Sequence, residues 1–376
     1  MGIIIGVPKE TMAQETRVAF SPEMVKKITS QGHQVWVATQ AGQNASMVDD
    51  MYVQAGATIV SQEQAFSCDL VLKVRSPNQA ELKLMKPSAT LVGMLNPFDK
   101  DGLQALAQAG ITSFALEAAP RTTRAQSMDV LSSQANISGY KAVMLAANFY
   151  QRFFPMLMTA AGTVKAARVV VLGVGVAGLQ AIATAKRLGA VIEASDVRPS
   201  VKEQVESLGG KFIDVSYDTD EEKEAAQGVG GYAKPMPASW LLRQQQEVAK
   251  RVAVADIVIS TALIPGRAAP TLITEAMVQS MKPGSVIVDI AAGKGLGGGG
   301  NCPLSEADLV VQKHGVTILG YTNLPALVAA DASSLYARNV FDFLKLILAK
   351  DGAIEVNLED DIVAACLMTQ NSQVKK

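Results

Sequence analysis

The sequence predicts an α/β protein made of two Rossmann-like, doubly wound parallel-sheet domains joined by long helices. Three observations carry this. Short runs rich in Val and Ile alternate with helical stretches along nearly the whole chain, the pattern of a parallel sheet covered by helices. Apolar residues make up 49% of the chain while aromatics make up only 5%, as in strands buried on both faces. The length, 376 residues, exceeds what one core ordinarily holds, so two domains are expected.

The first third is expected to hold strands at residues 3–7, 34–38, 69–74, 90–93 and 111–115. A helix is expected over 21–31, because Ser21 suits the N-cap, Pro22 the first helical position and Gly32 the stop. The rhythm resumes after residue 165, with strands at 168–172, 191–195, 211–214, 257–261, 285–289 and 316–320. Between the halves, 132–154 reads as one long helix. A last amphipathic helix over 333–349 is expected to return to the first domain, which is then discontinuous: residues 1–135 with 322–376, around a second domain of 136–321.

Composition excludes several functions. The formal net charge is −1, so there is no basic field for nucleic acid or an acidic membrane surface. Cys68, Cys302 and Cys366 match no zinc or CxxC spacing and read as reduced thiols of a cytosolic compartment. No metal site is expected. Residues 1–10 show no signal-peptide pattern. The uncharged run from Val169 to Ala185 is 17 residues long, short of the roughly 20 apolar residues a membrane span needs. Its glycines favour a buried strand-turn-helix.

Those glycines are the strongest chemical signal. Gly173-Val174-Gly175-Val176-Ala177-Gly178 follows the strand Val169-Val170-Val171-Leu172 and opens a helical run. Gly173 allows the tight turn, Gly175 a close approach to a pyrophosphate, and Gly178 close helix–strand packing. The helix N-terminus then offers free N–H groups to the phosphates. Asp196 ends the next strand, 18 residues beyond Gly178, near the spacing expected of an acid that accepts from ribose hydroxyls. Such an acid repels a 2′-phosphate, so NAD(H) is expected over NADP(H). Arg198, two residues on, is a cation of the kind that accommodates a 2′-phosphate.

The rest of the chain is poor in acid–base groups. Most dehydrogenases move a proton as well as a hydride. The two histidines, His33 and His314, both lie at a turn before an expected strand. Hydride transfer between two nicotinamide rings needs positioning alone, and this composition fits it. The loop from Pro120 to Ser133 mixes cations, an amide, a carboxylate and hydroxyls. It reads equally as a nicotinamide-holding loop, with Gln126 on the carboxamide, or as a helix start capped by Asp129 or Ser132. Residues 218–224 form an acidic run before Gln227-Gly228-Val229-Gly230-Gly231-Tyr232, expected as a surface loop. Residues 293–300 are glycine-rich and follow an expected strand end.

Several stretches together resemble the NAD(H)-binding component, domain I, of Re/Si-specific, proton-translocating NAD(P)+ transhydrogenase. They include Pro8-Lys9-Glu10, Glu15-Thr16-Arg17-Val18-Ala19, Arg124-Ala125-Gln126-Ser127-Met128-Asp129 and the glycine loop through Leu179. They continue with Lys202-Glu203-Gln204-Val205, Gly231-Tyr232-Ala233-Lys234, Thr261-Ala262-Leu263-Ile264-Pro265-Gly266, Lys282-Pro283-Gly284-Ser285 and Gly300-Asn301-Cys302. The resemblance spans nearly the whole chain. It implies that Arg121, Gln126, Ser127, Met128, Asp129 and Ser132 belong to the loop on the nicotinamide half. It implies that Gly173, Gly175, Val176 and Gly178 line the pyrophosphate, and that Asp196, Val197 and Arg198 border the adenosine ribose. Gly231 and Tyr232 resemble the tip of a loop that closes over the nucleotide. The family implies NAD(H) on this chain, NADP(H) on a partner, a homodimer, and a peripheral position on the cytoplasmic membrane face through membrane-spanning partner subunits.

Two other readings compete. An alanine dehydrogenase shares this fold, and Arg17 and Lys73 match its pyruvate-binding cations. Its acid–base histidine has no counterpart in Val92-Gly93-Met94-Leu95-Asn96-Pro97. A nucleotide sensor without chemistry is the third reading, and the nicotinamide-facing loop argues against it.

Overall fold

The computed structural model describes residues 2–226, 236–349 and 352–375. The chain divides into two units, Met1–Gln134 with Pro325–Lys376, and Ala135–Leu324.

The first unit is built on a sheet of six parallel strands, β1 (Ile4–Val7), β2 (Gln34–Ala38), β3 (Thr58–Val60), β4 (Leu70–Arg75), β5 (Thr90–Met94) and β6 (Thr112–Ala115), in the order β3-β2-β1-β4-β5-β6. Strands β4 and β5 are buried along nearly their whole length, which is why they read as apolar runs rather than alternations. The order reverses between β1 and β4, the kind of crevice where such sheets bind ligands. The C-terminal segment Leu367–Gln370 adds an antiparallel strand to β6, and Gln373–Val374 pairs outside it.

Two helices show how the sequence places this unit's core. Pro22–Thr29 starts where Ser21 Oγ accepts from the Met24 N–H, and Gly32 follows at φ +91°. Ala329–Ile347 buries Ala332, Tyr336, Val340, Phe343 and Ile347, spaced by three or four residues, a stripe of helical period. Phe343 lies 5.3 Å from the ring of Phe114 in β6, and the Tyr336 hydroxyl donates to the Lys73 carbonyl at 2.7 Å. This helix starts four residues before its expected start, and β3 was not expected at all. Its three residues sit at the sheet edge, partly exposed, and so lack a buried strand's apolar signal.

The helix Val130–Phe149 begins in the first unit and runs on into the second. It is shorter than expected and starts two residues earlier. Pro155 lies ahead, and the residue before a proline is pushed out of the helical region. The chain turns instead into the antiparallel hairpin β7 (Leu157–Thr159) and β8 (Gly162–Val164).

The second unit's main sheet contains β9 (Arg168–Leu172), β10 (Val191–Ser195), β11 (Lys211–Phe212), β12 (Ile257–Ser260), β13 (Val286–Asp289), β14 (Val310–Lys313) and β15 (Val316–Leu319). Its order is β11-β10-β9-β12-β13-β15-β14, parallel except for β14. The order reverses between β9 and β12. The acidic stretch expected as a loop is helical over Asp220–Ala226, because acids in a first turn complement the helix dipole. The uncharged run from Val169 forms the strand β9, a turn and a helix. Among the described residues no helix is long and apolar enough to cross a membrane.

Candidate functional site

In the second unit, β9 ends at Leu172 and the chain turns through Gly173, Val174 and Gly175 into the helix Val176–Arg187. Each glycine answers a different constraint. Gly173 stands at φ +90°, and a Cβ on it would lie 2.7 Å from Thr261 Oγ1, which here donates to the Gly173 carbonyl at 2.9 Å. A Cβ on Gly178 would overlap that same carbonyl, whereas one on Gly175 would meet nothing within 4 Å. The first fixes how closely helix and turn pack, and the second leaves a face of bare backbone open. No side chain caps the helix and no acid sits in its first turn, so its N-terminal N–H groups suit an anion. Val176, in that first turn, is 39% exposed. Gly139 was not singled out from the sequence: a Cβ there would overlap the Ala177 carbonyl, so the helix Val130–Phe149 lies backbone to backbone against the loop helix. A glycine inside an otherwise unbroken helical run was the available signal.

Asp196 follows β10 and reaches back to the loop. Its Oδ2 accepts from the Val174 N–H at 2.7 Å and from Arg198 Nη2 at 3.0 Å. Its Oδ1 accepts from the Arg198 N–H and Nε, both at 2.9 Å. Arg198 Nη2 also donates to the Val174 carbonyl at 3.2 Å. The hydrogen bond to Asp196 raises the Arg198 pKa above its ordinary value. Val197 packs against the small core formed by Ala226, Met236 and Trp240.

Beyond β13, a second buried carboxylate organises the neighbouring loops. Asp289 is fully buried. Its Oδ1 accepts from Ser260 Oγ at 3.1 Å and from the N–H groups of Ala291 and Asn301 at 3.0 and 3.2 Å. Its Oδ2 accepts from the Cys302 N–H at 2.9 Å and Ser305 Oγ at 2.8 Å. Asn301 Oδ1 accepts from the Ala262 N–H, and its Nδ2 donates to the carbonyls of Ala262 and Pro270. Gly300 is required because a Cβ there would overlap Asp289 Oδ2. The glycine-rich stretch is therefore pinned to the strand end rather than being a free linker. Sequence reasoning noted Gly300-Asn301-Cys302 but missed Asp289 as its anchor. Burial pushes the Cys302 thiol up to about 11.

In the first unit, the stretch 123–128 is a short 3₁₀ segment in which Ala125 and Met128 are buried while Gln126 and Ser127 are exposed. Arg121 is exposed. The Asp129 carboxylate accepts from the Ser132 N–H at 2.8 Å and Oγ at 2.6 Å, so both residues cap the helix that follows. Gln126 makes no side-chain hydrogen bond to the described residues. The loop is held from behind by Asn339, whose Nδ2 donates to the Ser127 carbonyl at 2.7 Å while its Oδ1 accepts from Ser133 Oγ. Arg124 pairs with Asp360 and Asp361. Asn339 lies some two hundred residues from the loop, and nothing local in the sequence marks it.

The crevice between β1 and β4 is filled by the chain's own charges. Arg17 is buried and binds Glu15 through Nε at 2.7 Å and Nη2 at 2.6 Å, with Nη1 on Gln134 Oε1. Lys73, also buried, lies 3.2 Å from Glu10 and 3.1 Å from Glu81. Glu10 accepts from the Val74 N–H, and Glu117 from those of Leu95 and Asn96. Burial alone would raise Glu15, but the Arg17 hydrogen bonds and charge, with Arg75, bring it down to about 2. Burial prevails at Glu10 and Glu117, which are both raised.

Gly231 and Tyr232 lie outside the described residues. The segments beside them are anchored: Glu222 accepts from Arg243 Nη2 at 2.7 Å and Ser239 Oγ at 2.9 Å, and Tyr217 stacks on Trp240 at 5.7 Å. His33 precedes β2, and His314 precedes β15 and contacts Glu275 at 3.0 Å. Each therefore sits at the amino end of its strand, away from the carboxyl ends where such sheets bind ligands. Among the described residues no cluster of His, Cys, Asp and Glu could hold a metal ion.

Comparison with known proteins agrees with this architecture. Residues 6–138 match the family model described as alanine dehydrogenase/PNT, N-terminal domain, and residues 142–376 match its C-terminal domain. The chain is 51% identical to the first of the chains that make up the NAD(P) transhydrogenase alpha subunit of Rhodospirillum rubrum, over 98% of this chain and 97% of that one. It is 30% identical to alanine dehydrogenase of Bacillus subtilis, over 99% and 92%. The crystal structure of transhydrogenase from Sinorhizobium meliloti superimposes with a TM-score of 0.89 at 45% identity, covering 99% of both chains. The chain belongs to the alanine dehydrogenase/PNT family, as a homologue of the transhydrogenase alpha subunits.

Proposed function

We propose that this chain binds NADH and presents it for direct hydride transfer to NADP+ held by a second protein, as the NAD(H)-binding component of a proton-translocating transhydrogenase. The observation that carries the reading is the glycine loop: bare backbone open at Gly175, an uncapped helix N-terminus, and an acid at the end of the adjoining strand. These groups suit the pyrophosphate and ribose of a dinucleotide without a 2′-phosphate.

The nucleotide supplies a hydride from its C4 carbon, and no proton moves at either reacting carbon. The chain's task is therefore orientation. Gln126 offers an unengaged amide to a carboxamide. Asp129 and Ser132, locked to each other, fix the start of the helix behind it, and Arg121, Ser127 and Met128 complete the loop. Gly173, Gly175, Val176 and Gly178 hold the pyrophosphate, while Asp196, Val197 and Arg198 border the adenosine ribose. The NADP(H) site, the membrane-spanning segments and the proton path belong to partner subunits, which place this chain on the cytoplasmic membrane face. A homodimer is supported by the hairpin region, where Phe153, Met156 and Met158 are 56%, 59% and 74% exposed. Adjacent large apolar side chains left this open favour burial against a second copy.

The alanine dehydrogenase reading is weakened by Arg17 and Lys73. Both are buried and neutralised by carboxylates of the same chain, so neither is poised for a substrate carboxylate.

The test mixes the purified chain with the NADP+-loaded NADP(H)-binding domain of a transhydrogenase and NADH carrying deuterium at C4. Mass spectrometry then follows the label. Deuterium in NADPH only when both proteins are present supports the reading. Oxidation of NADH by the chain with pyruvate and ammonium alone would sink it.

A further inference from the structure

A carboxylate has about four lone-pair sites, and those of Asp196 are taken. Two are filled by backbone N–H groups, Val174 on Oδ2 and Arg198 on Oδ1. Neither donor leaves without unmaking the glycine turn or the turn after β10. The other two are filled by one side chain, the Nε and Nη2 of Arg198. A ribose brings two hydroxyl donors on adjacent carbons, and the guanidinium brings two N–H donors on a planar fork. As the fold stands, Asp196 has no site left for a ribose.

We propose that Arg198 is a built-in competitor for the adenosine ribose: its fork occupies the positions on Asp196 that the 2′- and 3′-hydroxyls take, and nucleotide binding displaces it. This rests on the NADH reading of the same site. Three features make displacement feasible. The Arg198 side chain is 24% exposed, against 7% for Asp196, so the arginine has a path to solvent and the acid does not. Its charge persists on release, because an arginine stays protonated. Its backbone N–H, a separate donor, keeps Asp196 oriented after the side chain leaves. Arg198 thereby sets the affinity for NADH below what Asp196 alone would give, which favours release of the spent nucleotide. It is a specificity-determining residue that acts through Asp196.

The test measures Kd for NADH by fluorescence titration of the purified chain and of Arg198→Met, which keeps much of the apolar stem and removes the fork. Arg198→Met is expected to bind NADH roughly fivefold more tightly, since a partly exposed ion pair no longer has to be broken. The same pair of proteins is titrated with an NADH analogue lacking both hydroxyls on the adenosine ribose. There the two affinities are expected to be equal within about twofold, because nothing then competes for Asp196. Arg198→Lys keeps the charge without the fork and reports the same trend if Arg198→Met folds poorly, as checked by circular dichroism. Equal or weaker NADH binding by the variants overturns the proposal, as does a gain that persists with the dihydroxyl-deficient analogue. Failure of the unaltered chain to bind NADH at all would instead overturn the reading beneath it.

Discussion

The Cβ position of Gly178 coincides with the carbonyl oxygen of Gly173, while that of Gly175, three residues earlier, faces open space. The two glycines separate folding from binding. Gly178→Ala is expected to lower stability by several kcal/mol, because backbone must move on both sides. Gly175→Ala is expected to leave the melting temperature nearly unchanged, since its φ of −82° suits any residue, and to weaken NADH binding about tenfold or more by blocking the phosphate approach. Thermal melts and NADH titration check both. Unchanged affinity in Gly175→Ala would remove the loop from the site.

Asp289 receives five hydrogen bonds and no cation. Asp289→Asn places an NH₂ group against N–H or O–H donors on one side. A loss of about 2–3 kcal/mol is expected from the buried mismatch. Urea denaturation measures it, and a change below about 0.5 kcal/mol would show that the loops hold without this anchor.

Glu15→Gln leaves the buried Arg17 guanidinium without its counter-charge, which is expected to cost about 3–5 kcal/mol at pH 7. The sign with pH follows from the direction of the shift. Glu15 is lowered in the folded state to about 2, so its stabilisation is complete above its ordinary value near 4.5 and is lost as pH falls toward 2. Glu10 and Glu117 are raised and act in the opposite sense. The informative quantity is therefore the gap between the unaltered chain and Glu15→Gln, which should shrink below pH 4.5. A gap independent of pH would assign the effect to packing.

Gln126 and Asp129 stand three residues apart with different surroundings. Asp129→Ala removes a helix cap and is expected to cost about 1 kcal/mol of stability. Gln126→Ala breaks no hydrogen bond among the described residues. It is expected to leave stability within about 0.5 kcal/mol while slowing label transfer to NADPH at least tenfold. Transfer at the unaltered rate would take Gln126 out of the nicotinamide contacts.

Phe153, Met156 and Met158 leave large apolar surface open on and beside one hairpin. Replacing Met156 and Met158 with Glu is expected to convert a dimer to a monomer in analytical ultracentrifugation. A chain that sediments as a monomer before any substitution would refute the homodimer.

What the sequence determined by itself were features whose cause is local. The buried strands Val169-Val170-Val171-Leu172 and Ile257-Val258-Ile259 announce themselves because a strand covered on both faces is apolar throughout. The glycine loop is legible because its constraints fall within six residues. Ser21 before Pro22 marks a helix start for the same reason. The tertiary structure alone decided what distant segments do to one another. Asn339 holds the loop carbonyl of Ser127 across some two hundred residues, and Asp289 requires Gly300 and gathers Asn301 and Cys302. Glu15 and Glu10 neutralise Arg17 and Lys73 inside the first sheet. It also decided that Asp196 meets Arg198 rather than open solvent. A hydrogen bond depends on where two groups meet in space, and a linear reading shows residue types and spacing but not which donor reaches which acceptor.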